Sequence, residues 1–138
     1  MTATLVDSNV LLDLFTRDPT WYDWSAQAVA EAANTSRIVI NVIIYAEASV
    51  RFSRIEDFEE ALAVPAIDRE PIPYEAAFLA GKMYGIYKRR RGNKTSPLPD
   101  FFIGAHAAVS GYRLITRDPG RVRAYFSQVR LITPKPTT

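Results

Sequence analysis

Short apolar runs alternate with longer amphipathic segments along this chain. The apolar runs are rich in valine, isoleucine and leucine, which is typical of buried strands. Strands are predicted at residues 3–6, 37–40, 112–116 and 129–132. Residues 66–72 fit either a short strand or an extended link, because the prolines within and beside that segment prevent a helix.

The segments between the apolar runs carry apolar residues at helical spacing. Helices are predicted at residues 10–15, 20–33, 41–52, 55–62, 74–89, 99–110 and 119–125, with a loop at 92–97. Asp7 or Ser8 is suited to cap the first helix and Asn41 the third. Strands that alternate with helices in this way indicate βαβ units and a parallel sheet, and therefore an α/β fold.

Composition narrows the class of protein. A chain of 138 residues with 48% hydrophobic and 23% charged residues is ordinary for one globular domain. The absence of cysteine excludes disulfides, thiolate nucleophiles and cysteine–zinc sites, and the single histidine, His106, disfavours Ser-His-Asp catalysis. No apolar run is long enough to cross a bilayer and the N-terminus has no basic signal region, so we expect a soluble intracellular protein.

Charge is distributed unevenly between the two halves of the chain. Residues 1–81 contain five arginines and thirteen carboxylates, a net −8, whereas residues 82–138 contain twelve lysines or arginines and two carboxylates, a net +10. The basic half includes a run at 88–91, followed by Lys94. Such a run is either a solvated helix end or an edge that binds a polyanion such as a nucleic acid.

Three carboxylates stand alone in segments that are otherwise suited to a core. Asp7, Glu47 and Asp100 are each the only charged residue in a stretch of at least eleven positions. A buried carboxylate without a partner is costly, and no basic residue lies within three positions of any of them. Their compensation must therefore come from elsewhere in the fold.

A bound cation shared between the carboxylates would supply that compensation. Ligands of parallel α/β sheets bind at the carboxyl ends of the strands. Asp7 and Asp118 follow predicted strands. Asp100 lies in the first turn of its helix and Glu47 one to two turns into the helix after the second strand, so all four can converge there. Oxygen ligands without cysteine favour Mg²⁺ or Mn²⁺. Taken one at a time, these carboxylates also have ordinary structural interpretations. Asp7 and Asp100 could be helix-start residues, Asp118 a turn residue or N-cap, and Glu47 could face solvent.

Polar and aromatic neighbours of these carboxylates have two interpretations each. Asn9 and Thr116 could orient a metal-bound carboxylate or its water, or they could only cap the ends of a helix and a strand. His106 is predicted to be a packed or interface residue, because it lies roughly opposite Asp100 on its helix. Tyr84 and Tyr87 could stack on bases, but core or dimer packing is favoured.

Four segments together resemble the PIN-domain family, and specifically the toxin ribonucleases of VapBC-type toxin–antitoxin pairs. Their order and spacing are similar to that family from near the first residue to the last strand. The segments are Leu5-Val6-Asp7-Ser8-Asn9-Val10-Leu11-Leu12, Tyr45-Ala46-Glu47, Leu98-Pro99-Asp100-Phe101-Phe102-Ile103-Gly104-Ala105-His106-Ala107 and Leu114-Ile115-Thr116-Arg117-Asp118. The resemblance implies one three-layer α/β/α PIN-like domain over residues 1–138, with a central, mainly parallel sheet of four to five short strands.

The same resemblance implies a set of site residues. Asp7, Glu47, Asp100 and Asp118 would be the catalytic carboxylates that bind Mg²⁺ or Mn²⁺. Many relatives place the fourth acid a few residues later, where this chain has Arg121. If Asp118 is not a ligand, the other three carboxylates remain.

The activity implied by the resemblance is that of a divalent-metal-dependent endoribonuclease. A metal ion would activate the water that cleaves the RNA phosphodiester bond. The resemblance also implies a homodimer, a cognate VapB-type antitoxin that blocks the site, and a cytoplasmic location. The basic residues expected to hold the RNA backbone are Lys88, Arg89, Arg90, Arg91, Lys94 and Arg117.

Other functions share part of this pattern. A haloacid-dehalogenase-like phosphohydrolase also has an aspartate after its first strand, but it needs a second two residues later, where this chain has Asn9. A phosphoacceptor receiver domain needs a lysine on a late strand, which the strand at 112–116 does not carry. A non-catalytic protein-binding module on the same fold and a flap-type DNA nuclease are further alternatives.

Overall fold

A computed structural model describes residues 2–63, 66–91 and 98–135, without the side chain of residue 91. The strands are β1 (Ala3–Val6), β2 (Arg37–Ile40), β3 (Asp68–Arg69), β4 (Arg113–Ile115) and β5 (Leu131–Ile132). The helices are α1 (Ser8–Thr16), α2 (Tyr22–Ala33), α3 (Val42–Ser49), α4 (Ile55–Leu62), α5 (Tyr74–Arg91), α6 (Leu98–Ser110) and α7 (Gly120–Tyr125). The loop predicted at 92–97 lies outside the described residues.

Within the described residues, five strands form one parallel sheet in the order β3-β2-β1-β4-β5. β1 lies at its centre with all of its residues buried, and Leu5 stands between Val39 of β2 and Leu114 of β4. The chain adds strands on one side of β1 first and on the other side later. Ligand crevices of parallel α/β sheets form at the carboxyl ends of the strands where this direction reverses.

Helices cover both faces of the sheet. Right-handed crossovers put the helices that connect β1, β2 and β3 on one face and those that connect β3, β4 and β5 on the other. Helix α1 contacts α2 and α3, and α6 contacts α5 and α7. Helix α6 also contacts α3. This is the three-layer α/β/α architecture that the sequence predicts.

A close contact between α6 and the chain after α7 fixes the depth of α6. A Cβ atom added to Gly104 would lie 2.5 Å from the ring of Phe126, which is itself buried. Only glycine permits this approach, so Phe126 packs directly against the helix backbone. Asp100 lies one turn before Gly104, and its position over the sheet therefore depends on this contact.

The predicted elements are confirmed, with shifts at several ends. The segment at 66–72, which fitted a strand or a link, contains the short strand β3, paired with β2 through Asp68 and Val39. The last strand is shorter than predicted because Val129 instead closes a turn on Phe126 and packs in the core. None of the helices in the described ranges combines the length and the apolar character needed to cross a membrane.

Candidate functional site

Asp7 lies where β1 ends and α1 begins. Its Oδ1 accepts a hydrogen bond from the backbone N–H of Ser8 at 2.7 Å, so it caps α1 as predicted. Its Oδ2 accepts a hydrogen bond from the Thr116 hydroxyl at 2.8 Å. In the described part of the chain, neutral donors alone bind this carboxylate.

Ser8 connects Asp7 to Glu47. The Ser8 hydroxyl donates to Glu47 Oε1 at 2.9 Å, and its oxygen lies 3.5 Å from Asp7 Oδ1. Glu47 lies in the second turn of α3, whose start is fixed by Asn41, an N-cap that accepts hydrogen bonds from two backbone N–H groups. Nothing in the sequence indicates this bridge, because a serine after a strand is an ordinary capping residue.

Asp100 and Asp118 share a cleft with Asp7 at the carboxyl ends of β1 and β4. Asp100 is half-buried in the first turn of α6, and Asp118 is exposed in the loop before α7. The cleft has a volume of about 90 Å³ and is lined by Asp7, Ser8, Asn9, Asp100, Ile103, Asp118, Arg121 and Val122. Three of the four predicted carboxylates thus line one cleft, and Glu47 adjoins it through Ser8.

Thr116 and Asn9 join the loop after β4 to Asp7. The Thr116 oxygen that donates to Asp7 also accepts hydrogen bonds from Asn9 Nδ2 at 3.4 Å and from the backbone N–H of Asp118 at 3.0 Å. Asn9 Oδ1 accepts from the backbone N–H of Arg117 at 3.3 Å. Both residues therefore orient the Asp7 carboxylate and the loop that carries Asp118.

Arg121 is a charged residue of the cleft that the sequence did not predict as part of the site. Its Nη1 forms an ion pair with Oδ2 of Asp100, in the first turn of the neighbouring helix. Its guanidinium also lies over the rings of Tyr87 and Phe101, 5.6 Å and 6.0 Å from their centres. No local signal in the sequence indicates this pairing, because Asp100 lies 21 residues away along the chain.

Burial raises the pKa of three of these carboxyl groups. It is the largest cause for Asp7, Glu47 and Asp100 alike. Hydrogen bonds from Thr116 and Ser8 oppose the rise at Asp7, and the charge of Asp100 adds to it. Asp7 and Asp100 also raise the pKa of Glu47. The Arg121 charge lowers the pKa of Asp100, but burial together with the Asp118 charge outweighs it.

The donor set fits a hard divalent cation. No three His, Cys, Asp or Glu side chains among the described residues are already arranged around a common cation position. The lining of the cleft nevertheless includes three carboxylates, which are the ligands that Mg²⁺ and Mn²⁺ prefer. A cation among them would offset the mutual repulsion of these carboxylates. Asp7, Asp100 and Asp118 are the residues that could hold it, with Glu47 beside them.

Arg117, which is predicted to hold the RNA backbone, forms an ion pair with Asp13. Its Nε donates to Asp13 Oδ2 at 2.7 Å and its Nη2 to Asp13 Oδ1 at 3.1 Å, and the guanidinium lies 5.0 Å from the ring centre of Trp21. Asp13 is buried and also accepts a hydrogen bond from Ser25. The charge of Arg117 compensates a buried carboxylate, and its contact with RNA stays a prediction.

The other predicted RNA-binding residues lie at or beyond the end of α5. Lys88, Arg89 and Arg90 occupy its last turns, with the Arg90 guanidinium 5.8 Å from the ring centre of Tyr125. The side chain of Arg91 and the whole of Lys94 lie outside the described residues. None of the described ones lines the carboxylate cleft.

The histidine and tyrosines that were expected to pack do so. His106 is fully buried, and its Nδ1 is hydrogen-bonded to Asn41 Nδ2 at 3.0 Å. Tyr87 is buried among Phe101, Tyr84 and other aromatic rings, and Tyr84 meets Phe101 edge-on with 5.5 Å between ring centres. Tyr87 is thus part of the core, and the partly buried Tyr84 packs against it.

Solved structures with the same fold come from toxin–antitoxin complexes. The chain is similar to one in the VapBC2 structure of Rickettsia felis bound to a DNA fragment from its promoter, with 15% identity, a TM-score of 0.72, and 96% of this chain and 98% of the other covered. A chain in a toxin–antitoxin complex from Klebsiella pneumoniae has 24% sequence identity to this chain and a TM-score of 0.70. The match covers 97% of this chain and 99% of the other. The chain is also similar to one in the VapBC-1 structure from nontypeable Haemophilus influenzae. The sequence identity is 18% and the TM-score 0.70, and the match covers 96% of this chain and 98% of the other.

Comparison at the level of sequence identifies a family. No curated protein matches the chain in sequence. Residues 4–127 match the family model described as PIN domain, a range that includes all four predicted carboxylates, the cleft and the whole sheet except its edge strand β5. The chain therefore belongs to the PIN domain family.

Proposed function

We propose that this protein is the toxin of a VapBC-type pair and a divalent-metal-dependent endoribonuclease. The observation that carries this proposal is the convergence of Asp7, Asp100 and Asp118 on one cleft, with Glu47 joined to Asp7 through Ser8. Membership of the PIN domain family and a fold shared with chains of VapBC complexes support it.

The cofactor we propose is Mg²⁺ or Mn²⁺, held by Asp7 and Asp100. When bound, such an ion lowers the pKa of a coordinated water and stabilises charge that develops on the phosphate. The hydrogen bonds from Ser8 and Thr116 hold the two oxygens of Asp7 in place for this role. Because Asp7, Glu47 and Asp100 have raised pKa values, a positive charge in the cleft favours the ionised forms that the reaction needs.

Asp118 and Glu47 have different positions and therefore different proposed roles. Asp118 is exposed at the mouth of the cleft, which suits a second cation or the orientation of the attacking water. Glu47 is half-buried behind Ser8, which suits water-mediated binding of the cation. No histidine or cysteine lines the cleft, so the chemistry rests on oxygen ligands.

The proposed substrate is RNA, bound through its phosphates. Lys88, Arg89 and Arg90 end helix α5, which packs along α6, the helix that carries Asp100. Positive charge beside an acidic cleft attracts a polyanion that must approach carboxylates. Arg91 and Lys94 continue this basic run in the sequence.

The proposed partners are a VapB-type antitoxin and a second copy of this chain, in the cytoplasm. The antitoxin follows from the similarity to chains of toxin–antitoxin complexes. The dimer is suggested by Tyr74 and Phe78, one helical turn apart on α5, whose side chains are 90% and 68% exposed. Co-expression with any short open reading frame found next to this gene tests the antitoxin, and chromatography of the chain alone with light scattering tests the dimer.

Cleavage of RNA by purified protein tests the activity. We expect cleavage with Mn²⁺ or Mg²⁺, none with EDTA, and recovery when the ion is restored in excess. Asp100→Asn should lose cleavage, whereas Asp57→Asn, the same change at an exposed position of α4, should keep it. Cleavage by Asp100→Asn at the wild-type rate, or cleavage in EDTA, would contradict the proposal. Failure of the folded wild-type protein to bind or cleave would favour a non-catalytic binding module.

The geometry disfavours the haloacid-dehalogenase-like alternative. That chemistry needs a carboxylate two residues after Asp7, but Asn9 is held there as an amide. Its Nδ2 donates to Thr116 and its Oδ1 accepts from the N–H of Arg117, a pair of roles that an aspartate does not provide. Turnover of a small phosphate monoester with an aspartyl-phosphate intermediate would revive this alternative.

A further inference from the structure

Arg121 occupies an oxygen of the carboxylate that we propose binds the cation. Its Nη1 is paired with Oδ2 of Asp100, and its side chain lines the cleft together with Asp7 and Asp118. Arginine keeps its positive charge at every pH at which proteins fold. This chain thus places a permanent cation of its own next to the site of the proposed divalent ion.

Aromatic rings hold the guanidinium independently of Asp100. Tyr87 and Phe101 lie under it, and both rings are buried against each other and against Tyr125. Stacking on aromatic rings stabilises a guanidinium without using its N–H donors. Arg121 therefore has a place beside the cleft even when Asp100 has another partner.

A divalent ion and Arg121 compete for the same carboxylate. Both need the negative charge of Asp100, and two cations next to one another repel. Among the described residues, this guanidinium donates a hydrogen bond to Asp100 through Nη1. Its remaining N–H groups are still available as donors at the wall of the cleft. A guanidinium in that position matches the geometry of a phosphate group.

Building on the proposed function, we infer that Arg121 exchanges partners during the catalytic cycle. In the cation-free protein it pairs with Asp100 and weakens binding of the divalent ion. When the ion takes Asp100, the guanidinium stays on Tyr87 and Phe101 and binds a phosphate of the RNA. Arg121 would then lower the affinity for the divalent cation and raise the rate of RNA cleavage. One residue would thus have opposite effects on binding and on activity.

Calorimetric titration with Mn²⁺ in the absence of RNA tests the first effect. Arg121→Gln should bind Mn²⁺ about fivefold more tightly than wild type, the change that corresponds to a partly exposed ion pair. Arg123→Gln removes the same charge from an exposed position of the same helix and should bind like wild type. Equal or weaker Mn²⁺ binding by Arg121→Gln would overturn the inference.

Cleavage of RNA at saturating Mn²⁺ tests the second effect. Arg121→Gln should lose about tenfold to a hundredfold in kcat/KM, although its cation site is filled, because a charge-stabilising donor is missing. Arg121→Lys keeps the charge but not the planar fork and should recover part of that loss. Wild-type kcat/KM in Arg121→Gln would overturn the inference.

The two proposals fail in distinguishable ways. If Arg121→Gln does not fold, as judged by its unfolding transition, Arg121→Lys carries both measurements, and changes in the same directions but of smaller size are expected. Wild-type protein that binds no Mn²⁺ overturns the proposed function. Wild-type protein that binds Mn²⁺ and cleaves RNA, with Arg121→Gln identical in both respects, overturns only the exchange of partners.

Discussion

Two aspartates at opposite ends of helix α1 show how differently one residue type can be accommodated. Asp13 is buried and receives two hydrogen bonds from Arg117 and one from Ser25. Asp7 receives hydrogen bonds from the neutral groups of Ser8 and Thr116 and lies near other carboxylates. Asp13 is thus paired in charge, and Asp7 is not.

The difference separates a structural carboxylate from a candidate functional one. Burial near like charge raises the pKa of Asp7, of Glu47 and of Asp100, so the fold holds these three in an unfavourable state at neutral pH. An arrangement that lowers stability without a structural benefit is typical of a functional site. The internal ion pair at Asp13 instead connects the loop after β4 to α1 and α2.

The largest effect is expected on activity at Asp7. Asp7→Asn should reduce RNA cleavage by at least a factor of about a hundred to a thousand, because a group that stabilises charge in the transition state is lost. Asp57→Asn is the matched control at an exposed position. Initial rates of cleavage of a defined RNA in Mn²⁺ check this prediction. A rate within a few-fold of the wild-type rate would mean that Asp7 only caps helix α1.

A large effect on stability is expected at Arg117. Arg117→Gln leaves the Asp13 carboxylate buried without its cation, and breaking such a pair destabilises a protein by about 3 kcal/mol. Urea unfolding measures the free energy, with Arg123→Gln as the control for loss of charge. An unchanged unfolding midpoint in Arg117→Gln would mean that this pair contributes nothing to the fold.

A smaller loss of stability is expected at Gly104. Gly104→Ala introduces a Cβ 2.5 Å from the Phe126 ring, and overpacking of this kind costs about 1–3 kcal/mol. Because α6 must move to relieve the contact, Asp100 should shift and cleavage should fall as well. Gly81→Ala, at a position with open space, is the control. Equal stability of the two variants would contradict the proposed packing.

The smallest effect is expected from pH, at His106. This residue is buried, its Nε2 has no hydrogen-bond partner among the described residues, and Glu70 Oε1 lies 3.8 Å away. Burial lowers the pKa of His106 from its usual 6.5, although the charge of Glu70 opposes this. The unfolded chain therefore binds the proton first, and stability should decline as the pH falls below about 6.5.

Comparison of the wild type with His106→Gln isolates that contribution. The free energy of unfolding of the wild type should fall more steeply between pH 7.5 and 5.5 than that of the variant. Tyr112 and Arg37, which both bind Glu70, are unchanged in this comparison. A parallel decline in the two proteins would assign the pH dependence to other groups.

The sequence predicted the fold and the positions of the carboxylates because both depend on local pattern. Alternating strands and helices define a parallel sheet. Asp7 and Asp118 follow strands and Asp100 lies in the first turn of a helix, and these element ends meet at one edge. Lone charges within apolar segments marked Asp7, Glu47 and Asp100. Side-chain partners that are distant along the chain could not be predicted, because hydrophobic periodicity contains no information about them.

Three residues act through such partners, which the sequence did not indicate. Arg117 looked like a free cation, and its partner Asp13 lies on the first helix. Arg121 looked like the loss of an acid, and it proved to be the partner of Asp100. Ser8 looked like a cap, and its hydroxyl reaches Glu47 on α3. Each pairing depends on side chains that meet only after the sheet has formed.

Binding of Mn²⁺ to purified, EDTA-treated protein, followed by titration calorimetry, tests the central claim most directly. We expect saturable binding to the wild type, unchanged binding to Asp57→Asn, and affinity at least about a hundredfold lower in Asp7→Asn, which lacks a charged ligand. Wild-type Mn²⁺ affinity in folded Asp7→Asn would contradict the assignment of the carboxylate cleft as a metal centre.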